Sequence, residues 1–152
     1  MNEFMKKGFI RAKKTMLKNF GGPFGACIEK DGKVISIGSN QVLKNNDPTA
    51  HAEIIAIRRA CKKLKTYDLS GCTLYATGYP CPMCLSAIIW ANIKNVYYAT
   101  DLKDAEKIGF RDDFIYNFIK EENKNILKIE QLDRDKCIEL FNEYSELNKT
   151  IY

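Results

Sequence analysis

Apolar residues at Met5, Phe9, Ala12, Met16 and Phe20 recur every three or four positions with lysines between them, which predicts an amphipathic helix from about Glu3 to Asn19. Gly21-Gly22-Pro23 ends it. Two short strands, Phe24 to Glu29 and Val34 to Ser39, flank Lys30-Asp31-Gly32-Lys33, where Asp-Gly signals a hairpin turn. Gln41 to Asp47 is polar and reads as a loop. Asp47-Pro48 then has the form of a helix start, with Asp as cap and Pro at the first helical position. Ile54, Ile57, Cys61 and Leu64 supply the buried stripe of that helix, and Lys62, Lys63 and Lys65 suit its C-terminal end. A strand from Cys72 to Thr77 follows, and Pro82 opens a further helix from Cys81 to about Asn92. This helix is apolar nearly all round, so it is expected to be buried. Asn95 to Thr100 reads as a strand, Ala105 to Ile108 as a helical turn, Asp112 to Lys120 as helix, Ile126 to Leu132 as strand and Asp135 to Asn148 as helix. Strands alternating with helices predict an α/β fold: a three-layer α/β/α sandwich around a central mixed sheet of five strands.

At 152 residues the chain is expected to form one domain, 1–152. Its 45% hydrophobic and 28% charged residues fit a globular protein and exclude disorder. No apolar run approaches the ~20 residues that span a bilayer, and the N-terminus lacks a signal-peptide core, so a cytoplasmic protein with no membrane partner is expected. The six cysteines are then expected to be reduced rather than disulfide-bonded. The net charge of +5 resides in residues 1–20, which carry six basic side chains against Glu3; the remaining residues carry 18 of each sign. That is the solvated face of a helix more readily than a nucleic-acid footprint, and a nucleic-acid partner is not expected.

The chemistry lies between His51-Ala52-Glu53 and Pro80-Cys81-Pro82-Met83-Cys84. Together these offer one imidazole, two thiolates and a spare carboxylate, the donor set of an open zinc site with an acid/base beside it. Cys81 and Cys84, three apart at a helix start, share one face and point toward the helix N-terminus, where the dipole favours thiolate. Glu53 and His51 are two apart and share no helix face, so they converge only if both reach past the helix end. A redox C-x-x-C leaves His51-Ala52-Glu53 unexplained. A four-cysteine structural site would need a second close pair, which Cys27, Cys61, Cys72 and Cys137 do not form. The spaced pattern H-x-E and P-C-x-x-C is that of the zinc nucleobase deaminases.

Beyond these motifs the chain resembles the cytidine-deaminase-like superfamily, and within it the bacterial guanine deaminases. The likeness is carried by Gly22 to Ala26, Asn46 to Glu53, Pro80 to Cys84, Ala87 to Ala91, Gly109-Phe110, Asp112 and Phe114 to Tyr116. It implies His51, Cys81 and Cys84 as ligands of one zinc ion per subunit, with Glu53 as the catalytic proton shuttle. It implies Asn40 as a hydrogen-bond partner of a purine base, Phe24 as pocket wall and Asp112 as acceptor for purine N–H groups. Trp90 is taken as a further substrate contact. It also implies a homodimer whose C-terminal tail, about 134–152, closes the pocket, sometimes by exchange between subunits, with Tyr152 as lid. From the residues alone Trp90 and Phe24 read as core, Asp112 as a helix cap and Tyr152 as a free end. Tyr79 departs from the pattern, standing where such enzymes usually carry Glu, which bears on substrate preference. The expected activity is zinc-dependent conversion of guanine to xanthine and ammonia. Deamination of another base or nucleoside, including tRNA adenosine, and a catalytically silent binding module are the competing readings.

Overall fold

Asn2 opens the first helix by accepting from the N–H groups of Phe4 and Met5 at 2.9 and 3.1 Å. In this computed structural model, which describes residues 1–121, 126–147 and 149–150, α1 (Glu3–Met16) ends short of Asn19. Asn19 takes a left-handed φ of 56°, and Phe20 N–H bonds back to Thr15 at 3.1 Å. β1 (Gly25–Lys30) and β2 (Lys33–Ser39) form the expected hairpin. Its turn residues Asp31 and Gly32 both have positive φ, 51° and 73°, as a two-residue turn that follows the twist of the strands requires. Then come α2 (Val42–Asn45), α3 (Ala52–Leu64), β3 (Thr73–Gly78), α4 (Pro82–Trp90), β4 (Asn95–Thr100), α5 (Leu102–Lys107), α6 (Asp113–Glu121) and α7 (Arg134–Glu146).

The sheet runs β2-β1-β3-β4, antiparallel except for β3 with β4, and is therefore mixed as expected. Side chains alternate across β1 and β3. On one face Tyr75 packs against Phe4 of α1 with ring centroids 5.3 Å apart and the rings tilted by 36°. On the other, Ala26, Ile28, Leu74 and Ala76 form the core with Ala52, Ala56 and Ala60 of α3 and Ile88 of α4. Helices thus cover both faces in three layers. The alanine row of α3, rather than the larger Ile54-Ile57-Cys61-Leu64 stripe, meets the sheet most closely. Gly38 permits that approach, since a Cβ there would run into the carbonyl oxygen of Ala52 and the backbone nitrogen of Ala56.

Two sequence expectations are corrected. The sheet has four strands among the described residues, not five: residues 126–132 form none. Ile126 and Leu132 fall on one side of that stretch and Leu127 and Ile129 on the other, so it lacks a single apolar face, and all seven residues are exposed. The fully apolar α4 is not fully buried either. Cys84 and Ile88 face inward, while Ile89 and Trp90 are 69% and 72% exposed.

The chain divides into a unit of Met1–Ile115, which holds the sheet, and a unit of Tyr116–Tyr152. In the second unit α7 carries exposed Leu140, Phe141 and Tyr144, and Leu147 at its C-cap is exposed as well. Among the described residues no helix is long and apolar enough to cross a membrane.

Candidate active site

α3 and α4 both begin at the same end of the sheet, and their N-cap residues are His51 and Cys81. Neither uses its side chain to cap: both backbones are extended (ψ 159° and 169°), and no cap hydrogen bond from the side chain is made. His51, and not the predicted Asp47, occupies the cap of α3. Asp47 instead accepts from Thr49 N–H at 2.8 Å and Thr49 hydroxyl at 2.7 Å, closing a local turn. Gln41 N–H to Ala50 and His51 N–H to Thr49 fix the approach to the helix. Pro82 takes the first position of α4 as expected.

The imidazole Nδ1 of His51 lies 3.5 Å from Cys81 Sγ and 3.6 Å from Cys84 Sγ. The ligand atoms of the three residues all fall within 4.8 Å of one another. Tetrahedral zinc with ordinary Zn–N and Zn–S bonds would hold nitrogen and sulfur about 3.6 Å apart, so the donor set fits that ion. The hydrogen bond between the two thiols lowers the pKa of Cys81, while the same bond and burial push Cys84 up. A divalent cation is what would let both act as thiolates. The contact with Cys81 raises His51 above its ordinary pKa against the effect of burial.

Glu53 meets the geometric condition set by its spacing. Its carboxyl accepts from Cys84 Sγ at Oε2, 3.4 Å away, and lines the same cavity as His51 and Cys81. The residue is only 7% exposed, and burial raises its pKa. A buried carboxyl beside His51, Cys81 and Cys84 is suited to take up and release a proton.

A cavity of about 490 Å³ opens onto His51, Glu53 and Cys81. Phe24, Asn40 and Asp112 line it, as the resemblance implies. Phe24 also packs against the core, so its two readings coexist. Asn40 Oδ1 accepts from Val42 N–H at 3.2 Å, which leaves the amide NH₂ as the group it can offer the cavity. Asp112 lies between Arg111 and Asp113, and Arg111 pairs with Asp113 at 2.9 and 3.1 Å. Asp112 and Arg111 both line the cavity, and the charge of Arg111 is paired with Asp113. Burial, then the negative charge at Cys81, raises the pKa of Asp112.

Trp90 does not join this lining. It stands exposed at the far end of α4. Tyr152 lies outside the described residues. Tyr79, expected from the sequence to bear on substrate preference, and Phe110, given no role there, also line the cavity. Phe110 meets Phe24 edge-on at 5.0 Å, and Tyr79 meets Tyr98 edge-on at 4.9 Å. Their proximity to Gly22-Pro23-Phe24 and to Pro80-Cys81 was the available signal only for Tyr79; Phe110 reaches the site through a tertiary contact.

The family profile described as the cytidine and deoxycytidylate deaminase zinc-binding region matches residues 1–100. A guanine deaminase of Bacillus subtilis is 52% identical over 116 residues, 76% of this chain and 74% of that protein. A crystal structure of guanine deaminase from Bacillus subtilis superposes with a TM-score of 0.93 at 43% identity, covering 100% of this chain and 99% of the other. A tRNA-specific adenosine deaminase of Aquifex aeolicus is 35% identical over 144 residues, 93% of this chain and 92% of its own.

Proposed function

The chain belongs to the cytidine and deoxycytidylate deaminase zinc-binding family, and on that premise we propose that it hydrolyses guanine to xanthine and ammonia. It is a zinc-dependent hydrolase of the guanine deaminase type. The observation that carries the substrate is the likeness to guanine deaminase, whose crystal structure covers the full chain at a TM-score of 0.93, against 35% identity to the adenosine enzyme.

His51, Cys81 and Cys84 would hold zinc, which when bound supplies a Lewis acid that makes water nucleophilic near neutral pH. The remaining work falls to side chains of the chain itself. Glu53 takes a proton from the attacking water and delivers it to the ring nitrogen beside the aminated carbon. It then takes the remaining proton from the newly attached hydroxyl and passes it to the departing amine, so the carbon–nitrogen bond breaks, ammonia leaves and a carbonyl forms. Asp112 accepts from the N–H groups of the base and Asn40 donates through its NH₂. An analogue lacking those donors would leave the half-buried acceptor unpaired in the complex, which is the physical basis of selectivity here. Phe24 and Phe110 present apolar surface to the flat ring.

Further parts of the reading are supported by exposure. Ile89 and Trp90 on α4 form an uncovered apolar face of the kind that a second copy buries, so the enzyme works as a homodimer. The apolar residues of α7 are likewise uncovered, which suits a tail of about 134–152 that exchanges between subunits. The whole chain then serves as one deaminase domain. Unpaired cysteines throughout the described residues suit the reducing cytoplasm.

The test is ammonia release by zinc-analysed protein from guanine, guanosine, adenine, cytosine and a tRNA anticodon stem. Turnover of guanine above the others is the expected result. Higher efficiency on the tRNA stem, lost as salt rises, would instead favour the adenosine-editing reading to which the basic face of α1 would then contribute.

A further inference from the structure

Tyr79 is separated from Cys81 by a single residue and lines the cavity. Two restraints fix its backbone. Its N–H donates to Thr100 at 2.8 Å, and the buried Pro80 that follows confines it to an extended conformation. Neither restrains the side-chain torsions. The ring is 37% exposed, and an aromatic at a cavity mouth samples several rotamers unless something holds it. The holding contact is Tyr98, whose ring lies 4.9 Å away at 81°.

Tyr98 is not part of the cavity lining. It projects from β4, opposite Ala76 in the parallel pair, on the sheet face that also carries α4. Half of its surface is exposed, so it adds little to the core, and its edge-to-face contact is directed at Tyr79. That geometry is the preferred one for aromatic pairs.

We propose that Tyr98 is a positioning residue that orients Tyr79 against the bound base, so that the two rings act as one substrate-holding unit. Tyr79 supplies a flat apolar face beside the metal ligands, and Tyr98 removes the rotamer freedom that binding would otherwise have to freeze. The unit binds ground state and transition state alike, so it governs KM and leaves kcat in place. The inference rests on the reading of the chain as a deaminase of a planar base.

The experiment is a double-mutant cycle with Tyr79→Leu and Tyr98→Leu, plus Tyr79→Phe and Tyr98→Phe, each assayed for kcat, KM and Tm. Tyr79→Leu should raise KM by about 2- to 12-fold, and Tyr98→Leu should raise it in the same direction with kcat unchanged. The double variant should be no worse than Tyr79→Leu alone, and both Phe variants should restore KM. An unchanged KM in Tyr98→Leu overturns the proposal. So does multiplication of the two effects in the double variant, or a loss of kcat that follows Tm. If the wild type ignores guanine but deaminates another base, the guanine reading fails and the same cycle on that base decides the inference separately.

Discussion

Cys84 and Glu53 lie 31 residues apart in sequence, yet the thiol of one reaches the carboxyl of the other at 3.4 Å. The thiol pair and the acid therefore form one hydrogen-bonded cluster. Glu53→Gln keeps the size and much of the polarity of the side chain, so zinc content should remain near that of the wild type. Removing the proton shuttle should lower ammonia release by about 100- to 10,000-fold. Metal analysis alongside turnover separates the two roles; a variant that loses zinc and activity together would make Glu53 a structural element of the site.

Gly38 lets α3 lie against β2, and α3 carries His51 and Glu53 at its start. Gly38→Ala should force the helix away, because the obstructing atoms are backbone rather than a movable side chain. The expected loss is about 1–3 kcal/mol of stability, measured by denaturant unfolding, with weaker zinc retention on dialysis.

Asp112 presents an acceptor where a purine presents donors. Asp112→Asn keeps the shape and removes the charge, and kcat/KM for guanine should fall by about 10- to 150-fold, the worth of a hydrogen bond to a charged group. Steady-state kinetics on guanine checks this. An unchanged value would return Asp112 to the role of a helix-start residue.

Asp68 ties the turn before β3 to the end of α4, accepting from Ser70 N–H at 2.9 Å and from Asn92 at 3.3 Å. The Ser70 hydroxyl bond is the chief reason its pKa falls below 3.8. A depressed folded-state value means the stabilisation is complete above the ordinary carboxylate range and is lost as pH falls through the folded value. The Tm difference between wild type and Asp68→Asn should thus be present at neutral pH and vanish in acid. A difference that persists below both values would show that the charge is not its source.

A charge on the uncovered face of α4 should keep two copies apart. Trp90→Glu is solvent-exposed in the single chain, so its fold should hold while sedimentation shifts from dimer to monomer. A dimer of undiminished strength would place the interface elsewhere.

The metal site was legible in the sequence because spacing alone sets it: three residues along a helix start put Cys81 and Cys84 on one face, whatever surrounds them. The start of α3 was not. Asp47-Pro48 obeys the local rules for a cap, but Asp47 is occupied by Thr49, and the chain turns again before the helix begins at His51. Tertiary demand displaced local preference there, since His51 must reach the cysteines. Five strands were expected and four are found because a run of β-forming residues without one apolar face gives a sheet nothing to bury. The apolar composition of α4 was read as burial within one chain, whereas Ile89 and Trp90 face outward; composition records that a surface avoids water without recording which molecule covers it. The Phe24–Phe110 and Tyr79–Tyr98 contacts depend on how distant segments meet, which no periodicity encodes.

His51 and Cys81 stand at the caps of α3 and α4 without spending their side chains on capping. Each helix has in effect lent its end group to a common centre. The first-turn amides of both helices should then open and close as a linked pair. Stripping the ion should speed hydrogen exchange at the start of α3 and of α4 in parallel, while the sheet between them stays protected. Occupancy of the centre would be readable from the backbone at two places distant in sequence, without any assay of turnover.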